Sequence, residues 1–191
     1  MKPVNFLVIG GSAGSLHVIL DLLSALGNRF MVPVLIVLHR NNIVGSGLEE
    51  LLSSRTSRSV KEVEEKEAIR SGVIYTCPAD YHVLIEKDHS FSLDYSERVN
   101  FSRPSIDVSF RSAADIYGKD LACLLLSGGN NDGVDGLKYA QEAGGVILIQ
   151  DPATADVPFM PQQALLKVSP DLTGDAQAIA SYILREEYPQ I

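Results

Sequence analysis

The chain has 191 residues, 46% hydrophobic and 21% charged, a length and balance that suit one globular domain with a full core rather than a disordered segment. Against 16 Lys and Arg stand 24 Asp and Glu, a formal charge of −8, which argues against general binding to nucleic acid or an anionic membrane because both need a basic footprint. No apolar run approaches the ~20 residues of a membrane span, and the N-terminus lacks a signal-peptide pattern, so a cytoplasmic protein without membrane insertion is expected.

The first element is an apolar run, Val4 to Ile9, that suits a strand buried on both faces of a parallel sheet. It meets Gly10-Gly11-Ser12-Ala13-Gly14-Ser15, whose glycines are expected to end the strand and turn the chain sharply into a helix starting near Ser15. Three readings of this turn compete. As Gly10-x-Ser12-x-Gly14 it is a nucleophile-elbow pattern, with a serine at a strand-to-helix corner. As a dinucleotide fingerprint it lacks two of three glycines, Ser12 and Ser15 standing in their places. As a plain small-residue connection it needs no ligand.

A helix ending near Gly27 leads to a second buried strand, Met31 to Leu38, which empties into His39-Arg40-Asn41-Asn42. A strand, helix, strand unit crosses over right-handed, so the two strands are parallel and carry Ser12 and His39 to one edge of the sheet. Further on come a helix at Leu48 to Ser53, strands at Val60 to Val63 and Val73 to Cys77, and a hairpin, Tyr81 to Glu86 and Ser90 to Tyr95. Pro104 is placed at the first position of a helix over 105–117. Leu121 to Leu126 is the third strongly buried strand, followed by Ser127-Gly128-Gly129-Asn130-Asn131-Asp132-Gly133 and a helix from Val134 to Ala143. A strand at Val146 to Gln150, a loop from Asp151 to Pro161, a short helix after Pro161 and a terminal helix from Asp175 to about Glu187 complete the chain. The alternation predicts a three-layer α/β/α domain over residues 1–191, with a mostly parallel, Rossmann-like sheet of about seven strands plus the β-hairpin.

In such sheets, chemistry gathers at the carboxyl ends of the strands. Ser12, His39 and Asp132 reach that edge from three buried strands, and they are the residue types a serine hydrolase needs: a weak nucleophile, a base to take its proton and a carboxylate to orient the base. Asp107 and Asp135 are rival carboxylates, and His17 and His82 rival bases. The order Ser, His, Asp differs from that of the α/β-hydrolases, so that fold is not assigned. Cys77 and Cys123 stand far apart without a CxxC or His-rich neighbourhood and are expected as reduced core residues. No cofactor and no metal is expected.

Taken together, Ile9-Gly10-Gly11-Ser12-Ala13-Gly14, Val37-Leu38-His39, Ser102-Arg103-Pro104-Ser105-Ile106-Asp107-Val108, Leu126 to Gly133 and Phe159-Met160-Pro161 appear in an order that resembles CheB-type protein-glutamate methylesterases of bacterial chemosensory systems. The resemblance runs from about residue 5 to residue 185. It implies a serine hydrolase that removes methyl from glutamate γ-methyl esters of methyl-accepting chemoreceptors, with deamidation of receptor glutamines in some members. On that pattern Ser12 matches the nucleophile, His39 the base and Asp132 the orienting acid. Ala13, Gly129, Arg103 and Met160 are candidates for the oxyanion region and cleft rim. A receptor helix would have to lie across an open cleft, where Arg40 and Arg103 could supply local positive charge.

The resemblance also has departures. The first core strand begins within a few residues of Met1, so the phosphorylated receiver domain usual in the family is expected to be absent. Threonine often follows the nucleophile in the family, and methionine stands in its Gly-Met-Gly segment, where this chain has Ala13 and Gly129. Two other functions stay open: an NADP-type nucleotide-binding domain, motivated by Gly10 to Ser15 and Arg40, and a catalytically weak adaptor that docks on receptors.

Overall fold

The computed structural model describes residues 4–28, 30–39 and 47–187. In chain order the elements are β1 (Phe6–Gly11), α1 (Leu16–Leu26), β2 (Val34–Leu38), α2 (Leu48–Ser53), β3 (Ser59–Glu62), β4 (Val73–Thr76), β5 (His82–Ile85), β6 (Phe91–Asp94), α3 (Ile106–Tyr117), β7 (Leu121–Leu125), α4 (Val134–Glu142), β8 (Val146–Gln150), α5 (Phe159–Leu165), β9 (Leu172–Gly174) and α6 (Ala176–Glu187). Seven strands pair in parallel in the order β3-β4-β2-β1-β7-β8-β9, and β5 and β6 form a separate antiparallel hairpin. The expected architecture is therefore present.

Alternation along β1 explains the three layers. Phe6 and Val8 point into one core, shared with α3, α4, α5 and the hairpin; Leu7 and Ile9 point into the other, shared with α1, α2 and α6. A strand apolar on both faces is stable only when both are covered, and each enclosed Leu, Ile or Phe contributes about 1.5–3 kcal/mol. Cys77 and Cys123 are buried inside the first of these cores.

Four details differ from the sequence expectation. Gly10 and Gly11 do not turn the chain; they are the last residues of β1, paired with Val37 and Leu38. Their lack of side chains serves close packing, because a Cβ on Gly10 would overlap Ile106 Cγ2 and one on Gly11 would come within 2.6 Å of the Ser15 Cβ. Only Gly14, at φ +77°, uses glycine's conformational freedom there. Pro104 precedes the extended N-cap Ser105 instead of opening α3. α5 begins at Phe159, with Pro161 inside its first turn, where a missing N–H leaves no helical bond unmade. Finally, β9 adds an edge strand that no apolar run announces.

Connections run from β1 outward to β2 on one side and return to β7 on the other, so the direction of winding switches at β1. The crevice at such a switch point is where open α/β sheets bind ligands.

Candidate active site

Ser12 is the first residue beyond β1 and His39 the first beyond β2. With Gly11 paired to Leu38, and His39 N–H donating to Gly11 O at 3.2 Å, the two residues are neighbours at the sheet edge. Asp132 comes from the loop after β7, on the other side of β1. The His39 ring reaches it directly: Nε2 lies 2.7 Å from Asp132 Oδ2. Among the described residues no hydrogen bond joins the Ser12 hydroxyl to the imidazole.

Asp132 is fully buried, and its burial is answered by donors. Oδ2 also accepts from Ile106 N–H at 2.7 Å, and Oδ1 accepts from the Ser105 hydroxyl at 2.7 Å, Asp107 N–H at 3.2 Å and Asn100 Nδ2 at 3.3 Å. Two of these are free N–H groups of the first turn of α3, whose dipole also favours a negative charge there. Burial alone would push the Asp132 carboxyl up; the hydrogen bonds from His39, Ile106 and Ser105 outweigh it and hold the group below its ordinary value. An ionised carboxylate on Nε2 fixes the proton on that nitrogen, leaving Nδ1 as the basic one.

The turn bearing Ser12 is tied down on every side. Ser12 N–H donates to Ser127 O at 2.9 Å, the Ser15 hydroxyl donates to Ser12 O at 2.6 Å, and the Ser127 hydroxyl donates to Ala13 O at 2.8 Å while accepting from Val157 N–H at 2.9 Å. Gly128 packs against it so closely that a Cβ would stand 3.1 Å from Ser12 Cβ and 2.5 Å from Met160 Cε. Among the described residues, neither Ala13 N–H nor Gly129 N–H donates to a protein acceptor, so both remain available at the edge of the site.

The remaining candidates separate clearly. Met160 is buried beneath Gly128, its N–H bonded to Gly128 O. Arg103 is held away from solvent: Nη1 donates to the carbonyls of Tyr95 and Ser96, and the guanidinium lies 3.9 Å over the Tyr95 ring. Arg40 lies outside the described residues. His82 is a structural histidine, its Nδ1 accepting from Ser105 N–H and its Nε2 donating to Glu97 O. His17, on α1, faces the exposed Asp156 at 3.6 Å. Asp135 is exposed on α4. Asp107 is buried beside Asp132, its Oδ1 accepting from Gly136 N–H and its Oδ2 from Asn100 Nδ2.

Sequence reasoning missed Asn100, Ser105, Ser127 and Gln150, whose Oε1 takes the Ser127 N–H. Ser105 carried a signal, a serine ahead of a helix with an acid two residues on, but the carboxylate it would meet lies 27 residues away.

A protein-family model described as CheB methylesterase matches residues 7–183. The chain belongs to the CheB methylesterase family. A relative from Leptospira interrogans, provisionally named a protein-glutamate methylesterase/protein-glutamine glutaminase, is 41% identical over 179 residues, which cover 94% of this chain and 93% of that one. Another of that activity name, from Methanosarcina acetivorans, is 30% identical over 191 residues; the match covers 96% of this chain but 53% of that protein, so the chain spans about half its length. Among solved structures, the crystal structure of the Thermotoga maritima CheB methylesterase catalytic domain superposes with a TM-score of 0.90 at 27% identity, over 95% of this chain and 98% of that one. The CheB catalytic-domain fold thus accounts for essentially all of the described residues.

Proposed function

We propose that this CheB-family domain hydrolyses glutamate γ-methyl esters on chemoreceptor proteins, and deamidates glutamine side chains in the same site, with Ser12 as nucleophile, His39 as general base and Asp132 as the group that orients it. The observation that carries this reading is the 2.7 Å bond from His39 Nε2 to a buried, ionised Asp132, with Ser12 on the adjoining strand end.

The chemistry follows from those positions. His39 Nδ1 takes the Ser12 proton as the hydroxyl oxygen attacks the ester carbonyl carbon. Negative charge develops on the carbonyl oxygen, and in this reading the Ala13 and Gly129 N–H groups, which among the described residues donate to no acceptor, receive it. Collapse of the tetrahedral species returns the proton from the imidazolium to the methoxy oxygen and releases methanol. Water, deprotonated by the same nitrogen, then frees the glutamate. A glutamine enters the same sequence, with ammonia leaving. Backbone donors of this kind tolerate Ala13 and Gly129 in place of the family's commoner residues, since no side chain is asked to donate.

The nucleotide alternative finds less support. A pyrophosphate would need the head of α1, and the Asp156 carboxylate already stands there, 3.2 Å from where a Cβ on Gly14 would be. The test is labelling by a fluorophosphonate probe together with methanol release from a methylated receptor. Both should occur in the native protein and vanish in Ser12→Ala. Turnover by that variant would remove Ser12 from the mechanism, while receptor binding without any labelling would favour the adaptor.

A further inference from the structure

Residues 95–103 form a loop whose tip is unusual on physical grounds. Val99 and Ser102 pair as a bridge, Val99 N–H donating to Ser102 O at 3.2 Å and Ser102 N–H to Val99 O at 2.9 Å. The two residues between them, Asn100 at φ +50° and Phe101 at φ +63°, are both left-handed. Such a two-residue turn suits Asn followed by Gly, and an aromatic at its second position is held there against its own backbone preference.

Burial does not compensate. Phe101 is 95% exposed, so its ring adds nothing to either core. Asn100, though also exposed, turns its amide toward the site, its Nδ2 donating to Asp107 Oδ2 at 2.7 Å and to Asp132 Oδ1 at 3.3 Å. One turn therefore has one residue on the carboxylate that orients His39 and the next held out in solvent. The base of the loop is clamped by Arg103, bonded to the carbonyls of Tyr95 and Ser96 and stacked on the Tyr95 ring. Tyr95 is itself 65% exposed and meets Tyr81 at 5.5 Å between ring centroids. A strained, exposed aromatic on a loop anchored at both ends is an interaction feature, not a packing one.

We propose that this loop, with Phe101 at its tip, is the surface on which the polypeptide substrate lies, Phe101 taking an apolar side chain of the segment that flanks the esterified residue. The assignment rests on the esterase reading. Its occupant follows from continuity with the site: the reacting group is a side chain, so its own polypeptide must lie over the surface around the site, and the loop joins that surface through Asn100, bonded to Asp132. On a helical substrate the residues three or four positions away stand about 5–6 Å along the same face. An acetyl ester or other small substrate has no such neighbour and would not touch Phe101.

The test uses Phe101→Asn, since asparagine accepts a left-handed backbone and the variant should fold at least as stably as the native protein. Hydrolysis of p-nitrophenyl acetate should stay within about twofold, because Phe101 touches no reacting group, while KM for a methylated receptor fragment should rise about tenfold with kcat little changed. Phe101→Leu should restore most of the affinity. Binding of the same fragment to Ser12→Ala, with and without Phe101→Asn, reads the contact independently of turnover. Equal action on both substrates, equal loss on both, or a native dimer that Phe101→Asn dissociates would each overturn the proposal. Failure of the native protein to react with the probe or with either ester would instead overturn the esterase reading, and the binding comparison would still decide the role of Phe101.

Discussion

His39 and Asp132 meet across the central strand: the imidazole stands at the end of β2, the carboxylate beyond β7, and β1 with Ser12 runs between them. The contact is held because every hydrogen-bond partner of the carboxylate is a donor. Replacing Asp132 by Asn puts an NH2 against some of His39 Nε2, Ile106 N–H, Ser105 Oγ–H, Asp107 N–H and Asn100 Nδ2, whichever way the amide turns. Asp132→Asn should lower kcat by ~10³–10⁴-fold through the wrong imidazole tautomer, and lower stability by about 3 kcal/mol through unpaired buried donors. Single-turnover deacylation and urea unfolding measure the two separately. Activity within tenfold of native would show that Asp132 does not orient the base.

Gly10 and Ile106 give a second prediction. α3 comes down onto β1 at a residue with no side chain, which lets Ile106 N–H reach Asp132. A methyl at Gly10 would meet a β-branched side chain that is fully buried and has nowhere to go. Gly10→Ala should destabilise by about 1–3 kcal/mol and reduce kcat, because the displaced helix carries two of the Asp132 donors with it. Ile106→Ala, which removes the Cγ2 that the new methyl would overlap, should cost less in the Gly10→Ala background than alone, with the coupling visible in a thermodynamic cycle. Strict additivity would show that the two residues do not press on each other.

Ser127 links the turn to the 157 loop through one hydroxyl. Ser127→Ala leaves Ala13 O and Val157 N–H without that partner and should cost about 1–2 kcal/mol. The catalytic consequence is larger than the stability one: the Ala13 carbonyl beside Ser12 loses its side-chain tether while the backbone bond from Ser12 N–H to Ser127 O remains, and kcat should fall by roughly tenfold with KM little affected. Thermal unfolding and initial rates on a small ester check the pair, and an unchanged kcat would separate Ser127 from the positioning of Ser12.

The long apolar strands were legible in the sequence because burial on both faces leaves no choice of residue, and β1, β2, β7 and β8 all fall on their runs, β2 starting at Val34 rather than at Met31. Their C-terminal ends in turn located Ser12, His39 and Asp132. What escaped was tertiary. Three-residue β9, only partly buried, has no run to read. Gly10 and Gly11 looked like turn residues because local sequence cannot say that Ile106 and Ser15 will pack onto them. Arg103 looked like a free cation, whereas it is bonded to carbonyls seven and eight residues upstream and stands 3.9 Å from the Asp80 carboxylate.

Asp107 gives the last prediction, in pH. Burial pushes its carboxyl up to about 6; the Gly136 N–H opposes the rise, the charges of Asp132 and Asp135 add to it, and Arg111 works against it. A carboxyl whose folded pKa lies above its ordinary 3.8 is held more favourably by the folded chain only while protonated. That advantage is full below about pH 4, fades through the interval up to about 6, and is gone above it, where the folded chain carries an enclosed charge. A shift of this size corresponds to on the order of 3 kcal/mol. Asp107→Asn can still accept from Gly136 N–H but has no proton to lose, and it removes the negative charge beside Asp132, so that the repulsion between the two carboxylates is absent from the variant at every pH. The unfolding free energy of the variant minus that of the native chain should therefore rise by about 2–3 kcal/mol between pH 4 and pH 6.5 and stay level above 7. Urea titrations at four or five pH values measure it. A difference that does not move with pH would mean that Asp107 stays ionised throughout, held by Asn100 and Gly136.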